Sequence, residues 1–375
     1  MVHRSAITLK LMTYAPTGGL VAAPTAGLPE QVGGERNWDY RYTWVRDASF
    51  SVLALLRLGF VDEAARFGGW LGDRIRERVG GEGGPLNIMY RVDGCSDLKE
   101  EVLEHWAGYR GSRPVRIGNG AADQLQLDIY GEAMDSIFAA DRAGQLVPHR
   151  GWKSISDVLE WVAANWDQPE EGIWETRGGR QPFTYGRLMC WVALDRGIRL
   201  AAARGLPGPV ERWTPERDRI YAQVHDQGWN AGRRAFVQHY HTDVLDASLL
   251  RMPKVGFVAP KDPMWTATLE AMDAELVTDS LVYRYDPAAS PDGLRGSEGT
   301  FSLCTFAYVD ALARAGRVEE SRRAFEKMLT YANHVGLFSE EIVLNGEQIG
   351  NFPQAFTHLA LIDAAITLDA ELDAG

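Results

Sequence analysis

Hydrophobic residues in this chain follow two kinds of helical pattern that alternate along the sequence. In residues 152–166 the apolar positions Trp152, Leu159 and Trp166 recur at helical spacing and leave a polar face. In residues 185–203 apolar side chains occur nearly all round the helix. Because a helix that is apolar all round must be buried and a one-sided helix lies on the surface, the alternation predicts hairpins with one inner and one outer helix.

The chain contains enough of these segments for a ring of about six hairpins. The predicted inner helices are apolar nearly all round, and they are 44–58, 121–140, 185–203, 301–313 and 355–368, with 244–252 as a short sixth. The predicted outer helices are one-sided, and they are 64–75, 152–166, 215–229, 264–276 and 318–331. We expect residues 5–12 to form the remaining helix beside the last inner one. The pattern predicts an all-α fold, an (α/α)6 barrel, as a single domain over residues 1–375.

Two long segments lack helical periodicity. Residues 79–116 and 277–299 contain many Gly, Pro and Asp residues. Long loops inside a compact domain are usually functional. In a ring of hairpins the links from inner to outer helices gather at one end, so we expect these loops to wall a central pocket.

Composition and charge narrow the class of partner. The formal net charge of −12 disfavours nucleic acid and anionic membrane surfaces, and it fits a neutral substrate. The 12 Trp and 13 Tyr residues suit the apolar faces of sugars. No apolar run is long enough to span a membrane. The oligomeric state is not determined by these features.

The cysteines and the N-terminus bear on cofactors and location. Cys95, Cys190 and Cys304 show neither metal-ligand spacing nor a disulfide framework, which favours a reducing compartment. Residues 1–14 contain no signal-peptide core. We therefore expect a cytoplasmic protein without a metal or other cofactor.

Residues 37–47 form the densest polar and aromatic segment. Four aromatic residues, two Asp and two Arg lie within eleven positions at the start of the first predicted inner helix. Buried charges are costly unless they are paired. Arg46 and Asp47 are therefore candidates for charge-assisted hydrogen bonds to the hydroxyl groups of one sugar. A purely structural Arg–Asp network is the alternative.

Two further segments carry candidate catalytic carboxyl groups. Glu175 follows Trp174 in a loop with glycines on both sides, and Glu340 with Glu341 precedes the turn 350–354. Cleavage of a glycosidic bond needs one carboxyl group to protonate the leaving oxygen and another to activate water. A carboxyl group against an indole ring is poorly hydrated and suits the acid. Taken singly, each glutamate also fits an ordinary solvated loop.

Together these segments resemble glycoside hydrolase family fifteen, the inverting exo-α-glucosidases that include glucoamylases, glucodextranases, some bacterial trehalases and isomaltose glucohydrolases. The resemblance extends from about residue 13 to 365. It is carried by five ordered segments, 13–18, 37–47, 108–116, 124–128 and 350–354. The resemblance implies an (α/α)6 barrel, in agreement with the helical pattern.

The resemblance also implies roles for individual residues. Glu175 matches the general acid, and Glu340 matches the general base with Glu341 as the neighbouring alternative. The expected sugar-binding residues are aromatic or charged, and they are Tyr40, Trp44, Arg46, Asp47, Trp174 and Arg284, together with Glu341.

The expected reaction is inverting hydrolysis that releases β-glucose from the non-reducing end of a short, neutral α-gluco-oligosaccharide. Bacterial relatives usually carry an N-terminal β-sandwich, which we expect to be absent because the barrel motifs begin by residue 13. Residues 185–187 and the short loop 342–345 depart from the family near the leaving-group side. We expect isomaltose as the substrate, with α-1,4 maltooligosaccharides and trehalose as alternatives.

A sugar epimerase and a non-catalytic sugar-binding protein are the alternatives from other classes of function. A sugar epimerase would need paired histidines in the pocket, and only His239 and His241 lie close together in the sequence. A non-catalytic sugar-binding protein would not need both carboxyl groups.

Overall fold

The helices of the computed structural model form two concentric layers. The structure describes residues 1–78, 84, 86–145, 147, 149–290 and 292–374. The α-helices are α1 (Val2–Met12), α2 (Val45–Arg57), α3 (Val61–Arg78), α4 (Asp128–Arg142), α5 (His149–Asn165), α6 (Thr184–Arg204), α7 (Val210–Gln227), α8 (Pro263–Glu275), α9 (Ser302–Arg314), α10 (Val318–Leu329) and α11 (Ala355–Ala374). Short 3₁₀-helices cover Tyr109–Gly111 and Ala247–Arg251.

The inner layer is a closed ring. Around it, α2 packs on α4, α4 on α6, α6 on the 3₁₀-helix Ala247–Arg251, that helix on α9, α9 on α11, and α11 on α2. The outer helices α3, α7, α10 and α1 pack on α2, α6, α9 and α11 respectively. The predicted (α/α)6 barrel is therefore confirmed.

Burial separates the two layers as the sequence pattern predicts. The inner helix α6 is buried without interruption from Thr184 to Gly197. The outer helix α10 buries only Ser321, Ala324 and Met328. Apolar burial on all sides thus identifies the helices that surround the barrel axis.

Two predicted inner helices differ from the structure. The segment 244–252 forms only the 3₁₀-helix Ala247–Arg251, because Asp246 caps the Ser248 N–H and Pro253 follows the turn. The helix predicted to start at 121 starts at Asp128. Before it, side-chain carboxylates of Glu171 and Glu170 accept the backbone N–H groups of Leu125 and Leu127, which replaces helical hydrogen bonding.

The first helix is tied to the last, as the ring requires. Ser5 Oγ lies 2.9 Å from His358 Nδ1, and the Phe338 N–H donates to His358 Nε2 at 3.3 Å. Since Nε2 accepts a hydrogen bond, Nδ1 carries the proton and donates to Ser5. Burial lowers the pKa of His358 to about 4, so the ring is neutral near pH 7.

Short antiparallel strands lie in the loops at the ends of the helices. They are β1 (Thr43–Trp44), β2 (Met89–Tyr90), β3 (Glu101–Val102), β4 (Arg116–Ile117), β5 (Trp229–Asn230), β6 (Ala235–Phe236), β7 (Val277–Thr278), β8 (Leu281–Val282), β9 (Thr300–Phe301), β10 (Glu341–Ile342) and β11 (Gln348–Ile349). The sheets are β1–β2, β3–β4, β5–β6, β7–β8 and β9–β10–β11. Strands β1 and β9 lead directly into the inner helices α2 and α9, so they fix where these helices begin.

The two predicted long loops are partly structured. The first carries β2, β3 and β4, and the second carries β7 and β8. Residues 79–83, 85 and 291 of these loops lie outside the described residues. Within the described part of the chain, every helix is too short or too polar to cross a membrane.

Candidate active site

A pocket opens at the end of the barrel where α2, α9 and α11 begin. Eight of the nine site residues predicted from the sequence line it, and they are Tyr40, Trp44, Arg46, Asp47, Trp174, Glu175, Arg284 and Glu340. The barrel therefore brings together segments that are far apart in the sequence, because the loops before the inner helices meet at one end.

Glu175 lies in the loop 171–178 between α5 and α6, which we call the Glu175 loop. Its backbone has a φ of 58°, a left-handed conformation that costs energy for a residue with a side chain. The Glu175 N–H donates to the carbonyl of Gly172 at 3.1 Å, which closes the turn. Carboxyl oxygen Oε1 then accepts a 2.6 Å hydrogen bond from Trp44 Nε1 and lies 3.5 Å from Arg46 Nη2.

The indole that contacts Glu175 is not the one the sequence suggests. The Trp174 Nε1 donates to the two carboxylate oxygens of Asp246, at 2.9 and 3.0 Å. Consecutive residues in a tight turn point in different directions, so Trp174 lines the pocket beside Phe301 while Trp44 holds the Glu175 carboxyl group. Both tryptophans remain part of the site.

Glu340 lies directly before β10 and is held from two other segments. Its Oε1 accepts hydrogen bonds from the Tyr40 hydroxyl at 2.6 Å and from Gln354 Nε2 at 3.1 Å. Burial raises the pKa of Glu340 well above its usual range, and the charge of Glu30 raises it further. The hydrogen bond from Tyr40 and the charge of Arg284 act in the opposite direction and favour the carboxylate.

Glu341 does not join the other predicted site residues. Successive side chains along a strand point to opposite faces, so Glu341 turns away from the pocket that Glu340 lines. Its Oε2 accepts the Gly299 N–H at 2.6 Å, and its carboxyl group lies close to those of Glu30 and Glu298, with oxygens within 4.8 Å of one another. Glu341 therefore lies behind the pocket wall and does not line the pocket.

Arg46 and Asp47 belong to a buried hydrogen-bond network and also line the pocket. Arg46 donates to the carbonyl of Ile173 at 2.9 Å and to Gln126 Oε1 at 3.1 Å, so it braces the Glu175 loop. Its Nε donates to Asp47 at 3.2 Å, and both side chains are buried while lining the pocket. Burial raises the pKa of Asp47 to about 6, in spite of the neighbouring charge of Arg46.

Arg284 is held in the pocket wall by charge and by aromatic rings. Its Nε donates to Glu298 at 2.7 Å, and its Nη2 donates to the same carboxylate. The guanidinium carbon lies 4.6 Å from the ring centroid of Phe301 and 5.7 Å from that of Trp174. Attraction between the guanidinium charge and the aromatic rings stabilises this position.

Several residues in or beside the pocket are not among the site residues predicted from the sequence. Glu30, Asp292 and Gln354 line the pocket, and Asp246 supports it through Trp174. A lone Asp in the apolar stretch 244–252 was a usable signal, because a buried carboxylate needs partners. Glu30 lies in a loop without periodicity, where no local pattern marks it. Burial raises the pKa of Glu30 to about 7, although Trp38 Nε1 donates to it at 2.8 Å.

The histidine pair that an epimerase would need lies elsewhere. His239 bonds the carbonyl of Tyr240 and packs against Phe183. Neither His239 nor His241 is among the described residues that line the pocket.

Known proteins match this chain over most of its length. The family model described as Glycosyl hydrolases family 15 matches residues 1–366. The trehalase of Mycolicibacterium smegmatis is 44% identical over 366 residues, which cover 97% of this chain and 54% of that protein. The trehalase of Thermoplasma volcanium is 40% identical over 373 residues, which cover 99% and 59%. The chain thus spans a little over half the length of these curated relatives.

Two further matches are more distant. The isomaltose glucohydrolase of Kribbella flavida is 25% identical over 259 residues, which cover 65% of this chain and 61% of that protein. The solved structure of a glycosidase variant in complex with glucose has a TM-score of 0.78 at 20% identity, covering 98% of this chain and 96% of that one. At that identity the structural likeness shows a shared fold.

Gly350 is required by the packing of Glu340, which a pair of glycine variants tests. Gly350 has a φ of 80°, and a Cβ there would lie 2.8 Å from Glu340 Cβ. Gly346 has a φ of 86°, but a Cβ there would meet only the Tyr331 ring, at 3.6 Å. Each Gly→Ala change should lower the unfolding free energy by about 1 kcal/mol through backbone strain. Gly350→Ala should lower it by roughly 1 kcal/mol more, because Glu340 must shift.

Denaturant unfolding of the two variants measures both effects. Gly346→Ala is the matched control, since it has similar backbone strain without the contact to Glu340. Equal stability of the two variants would contradict the proposed contact.

Proposed function

Because the chain belongs to glycosyl hydrolase family 15, we propose that it hydrolyses a short α-glucoside with inversion, using Glu175 as general acid and Glu340 as general base. The observation that carries the proposal is that two carboxyl groups from separate loops line one pocket and have different partners. Glu175 is held by Trp44 and Glu340 by Tyr40. The family resemblance assigns the acid to Glu175 and the base to Glu340, and the hydrogen bond from Tyr40 and the charge of Arg284 favour the ionised form of Glu340 against the effect of burial.

The reaction proceeds in one displacement. Protonated Glu175 donates its proton to the glycosidic oxygen as the bond from that oxygen to C1 breaks. Ionised Glu340 removes a proton from a water molecule whose oxygen bonds to C1 on the opposite face. The product is β-glucose, and the leaving sugar departs with its new hydroxyl group. Inverting enzymes separate the two carboxyl groups by roughly 6.5–9.5 Å, which leaves room for the water.

The sugar whose bond is cleaved is held by the inner end of the pocket. Arg46 and Asp47 are buried there and supply charged hydrogen-bonding groups, while Trp44 and Trp174 supply aromatic surface. Arg284 supplies a further guanidinium group in the wall. Charged groups that hydrogen-bond sugar hydroxyls position C1 between the acid and the base.

The names of the relatives favour trehalose as the substrate. The two trehalases described above are 40–44% identical over nearly the whole of this chain, whereas the isomaltose glucohydrolase is 25% identical over part of it. We therefore place trehalose ahead of the isomaltose expected from the sequence, with α-1,4 maltooligosaccharides third. The substrate is neutral, as the net charge of −12 leads us to expect.

A panel of disaccharides tests this order. The purified protein should hydrolyse trehalose with a higher kcat/KM than isomaltose or maltose, measured as glucose released. Proton NMR at early times should show equal β- and α-glucose from trehalose, because inversion produces β-glucose and the leaving sugar keeps its α configuration. Isomaltose as the best substrate would contradict the order, and early α-glucose alone would contradict inversion.

The roles of the two glutamates can be separated by the leaving group. Fluoride leaves without the full proton donation that an alkoxide needs, so α-glucosyl fluoride bypasses the acid but still needs the base. Glu175→Gln should lower kcat on trehalose by about 10²- to 10⁴-fold and lower kcat on α-glucosyl fluoride far less. Glu340→Gln should lower both by similar factors. Steady-state rates of glucose and fluoride release measure this, and the reverse pattern would exchange the two roles.

The hydrogen bond from Tyr40 to Glu340 leads to a prediction about how kcat/KM depends on pH. This bond lowers the pKa of Glu340, which burial raises, and the base works only when it is ionised. Tyr40→Phe removes the bond, so the pKa of Glu340 should rise further and the acidic limb of the pH profile of kcat/KM should move to higher pH. An unchanged acidic limb would show that Glu340 does not control it.

A further inference from the structure

Arg36 forms a buried ion pair next to the pocket without lining it. The Arg36 side chain is 1% exposed, and its Nη1 and Nη2 donate to the two carboxylate oxygens of Asp292 at 2.7 and 3.0 Å. Its Nε donates to the carbonyl of Arg295 at 3.2 Å. Three hydrogen bonds from one guanidinium group thus fix the segment 292–295, which belongs to the loop after β8. Bidentate Arg–carboxylate pairs are strong and geometrically specific.

The segment that Arg36 holds lies directly against the Glu175 loop. The backbone carbonyl of Asp292 accepts the Arg177 N–H at 2.7 Å and faces the Thr176 hydroxyl at 3.4 Å. Gly293 presses on the same loop, since a Cβ there would lie 2.7 Å from the Arg177 carbonyl carbon. The Asp292 carboxylate therefore accepts hydrogen bonds from Arg36, while its backbone carbonyl supports the residues that follow Glu175.

The Glu175 loop needs such support because its conformation is strained. Glu175 has a φ of 58°, and a left-handed residue with a side chain persists only when its surroundings hold it. On the side before Glu175, the Glu171 N–H donates to the Leu125 carbonyl at 3.0 Å. On the side after it, Gln124 and the Asp292 carbonyl contact the loop backbone, and the Arg177 side chain pairs with Glu100 at 3.1 Å.

We propose that Arg36 and Asp292 are a positioning pair for the proton donor: their ion pair holds the segment 292–295 against the Glu175 loop and thereby places the Glu175 carboxyl group for proton donation. The inference rests on the proposed role of Glu175 as general acid. Arg36 touches no reacting atom and acts through Asp292. Loss of the pair releases the loop and removes the bidentate partner of the Asp292 carboxylate, which then keeps the Tyr285 hydroxyl and the Leu294 N–H as donors.

Leaving-group dependence distinguishes this role from a general structural one. A misplaced acid impairs trehalose hydrolysis but not the release of fluoride from α-glucosyl fluoride, whereas general damage to the pocket lowers both rates. Arg36→Lys keeps the charge but cannot form the bidentate pair, and Arg36→Ala removes it. The ratio of kcat on trehalose to kcat on α-glucosyl fluoride should fall about 10-fold for the first and about 100-fold for the second.

A second ion pair provides the matched control. Arg196 is also buried and donates to Asp135 at 2.7 Å, but neither residue lines the pocket among the described residues. Arg196→Ala should therefore leave the ratio of the two rates unchanged, even if it lowers stability. An equal fall of both rates in the Arg36 variants, with the ratio unchanged, overturns the proposal.

Amide hydrogen exchange supplies a readout that does not depend on the reaction. Residues 175–178 should exchange faster in Arg36→Lys and Arg36→Ala than in the wild type, because the Arg177 N–H loses a fixed acceptor. Unchanged exchange in this segment overturns the proposal. If the wild type hydrolyses neither substrate, the proposed function fails, and exchange alone decides whether the pair holds the loop.

A milder variant covers the case in which Arg36→Ala does not fold. Asp292→Asn keeps the size of the side chain and the backbone carbonyl but removes the negative charge that holds Arg36. It should lower the rate ratio and raise exchange at 175–178 in the same direction as Arg36→Lys. An Asp292→Asn protein with the wild-type ratio and wild-type exchange also overturns the proposal.

Discussion

The cost of burying charge organises the pocket end of this barrel. A carboxylate removed from water needs donors, and here most of the donors come from distant segments. Trp44 reaches Glu175, Tyr40 reaches Glu340 across 300 residues, and Arg36 reaches Asp292 across 256. Each hydrogen bond therefore satisfies a buried or half-buried carboxyl group and ties two segments together.

The helical ring makes these contacts possible. Inner helices that are apolar on all sides surround the axis, and the segments that lead into α2, α9 and α11 meet at one end. The Ser302 N–H in the first turn of α9 donates to the Glu340 carbonyl at 2.9 Å, so Glu340 is docked on an inner helix. Rigid elements of this kind hold a carboxyl group in place more accurately than a free loop does.

The pocket end also concentrates more carboxyl groups than the proposed reaction uses. Glu30 in the pocket wall lies together with Glu298 and Glu341 behind it, where Arg284 donates to Glu298 and Arg36 approaches it at 3.3 Å. The two guanidinium groups lower the cost of this negative charge without cancelling it, and burial raises the pKa values of Glu30 and Glu341. The charge balance around Glu340 is thus set by residues on both sides of the wall.

The sequence by itself determined most of the helices and their division into two layers, and it marked Glu175 and Glu340 as candidates through the family motifs. These follow from local periodicity and from short motifs, which the order of residues contains directly. Only the tertiary structure decided that Trp44 rather than Trp174 holds Glu175, that Glu341 turns away from the pocket, and that Arg36, Asp292 and Glu30 belong near the site. Side-chain hydrogen bonds between distant segments depend on how the loops meet in space, and no local pattern records that meeting.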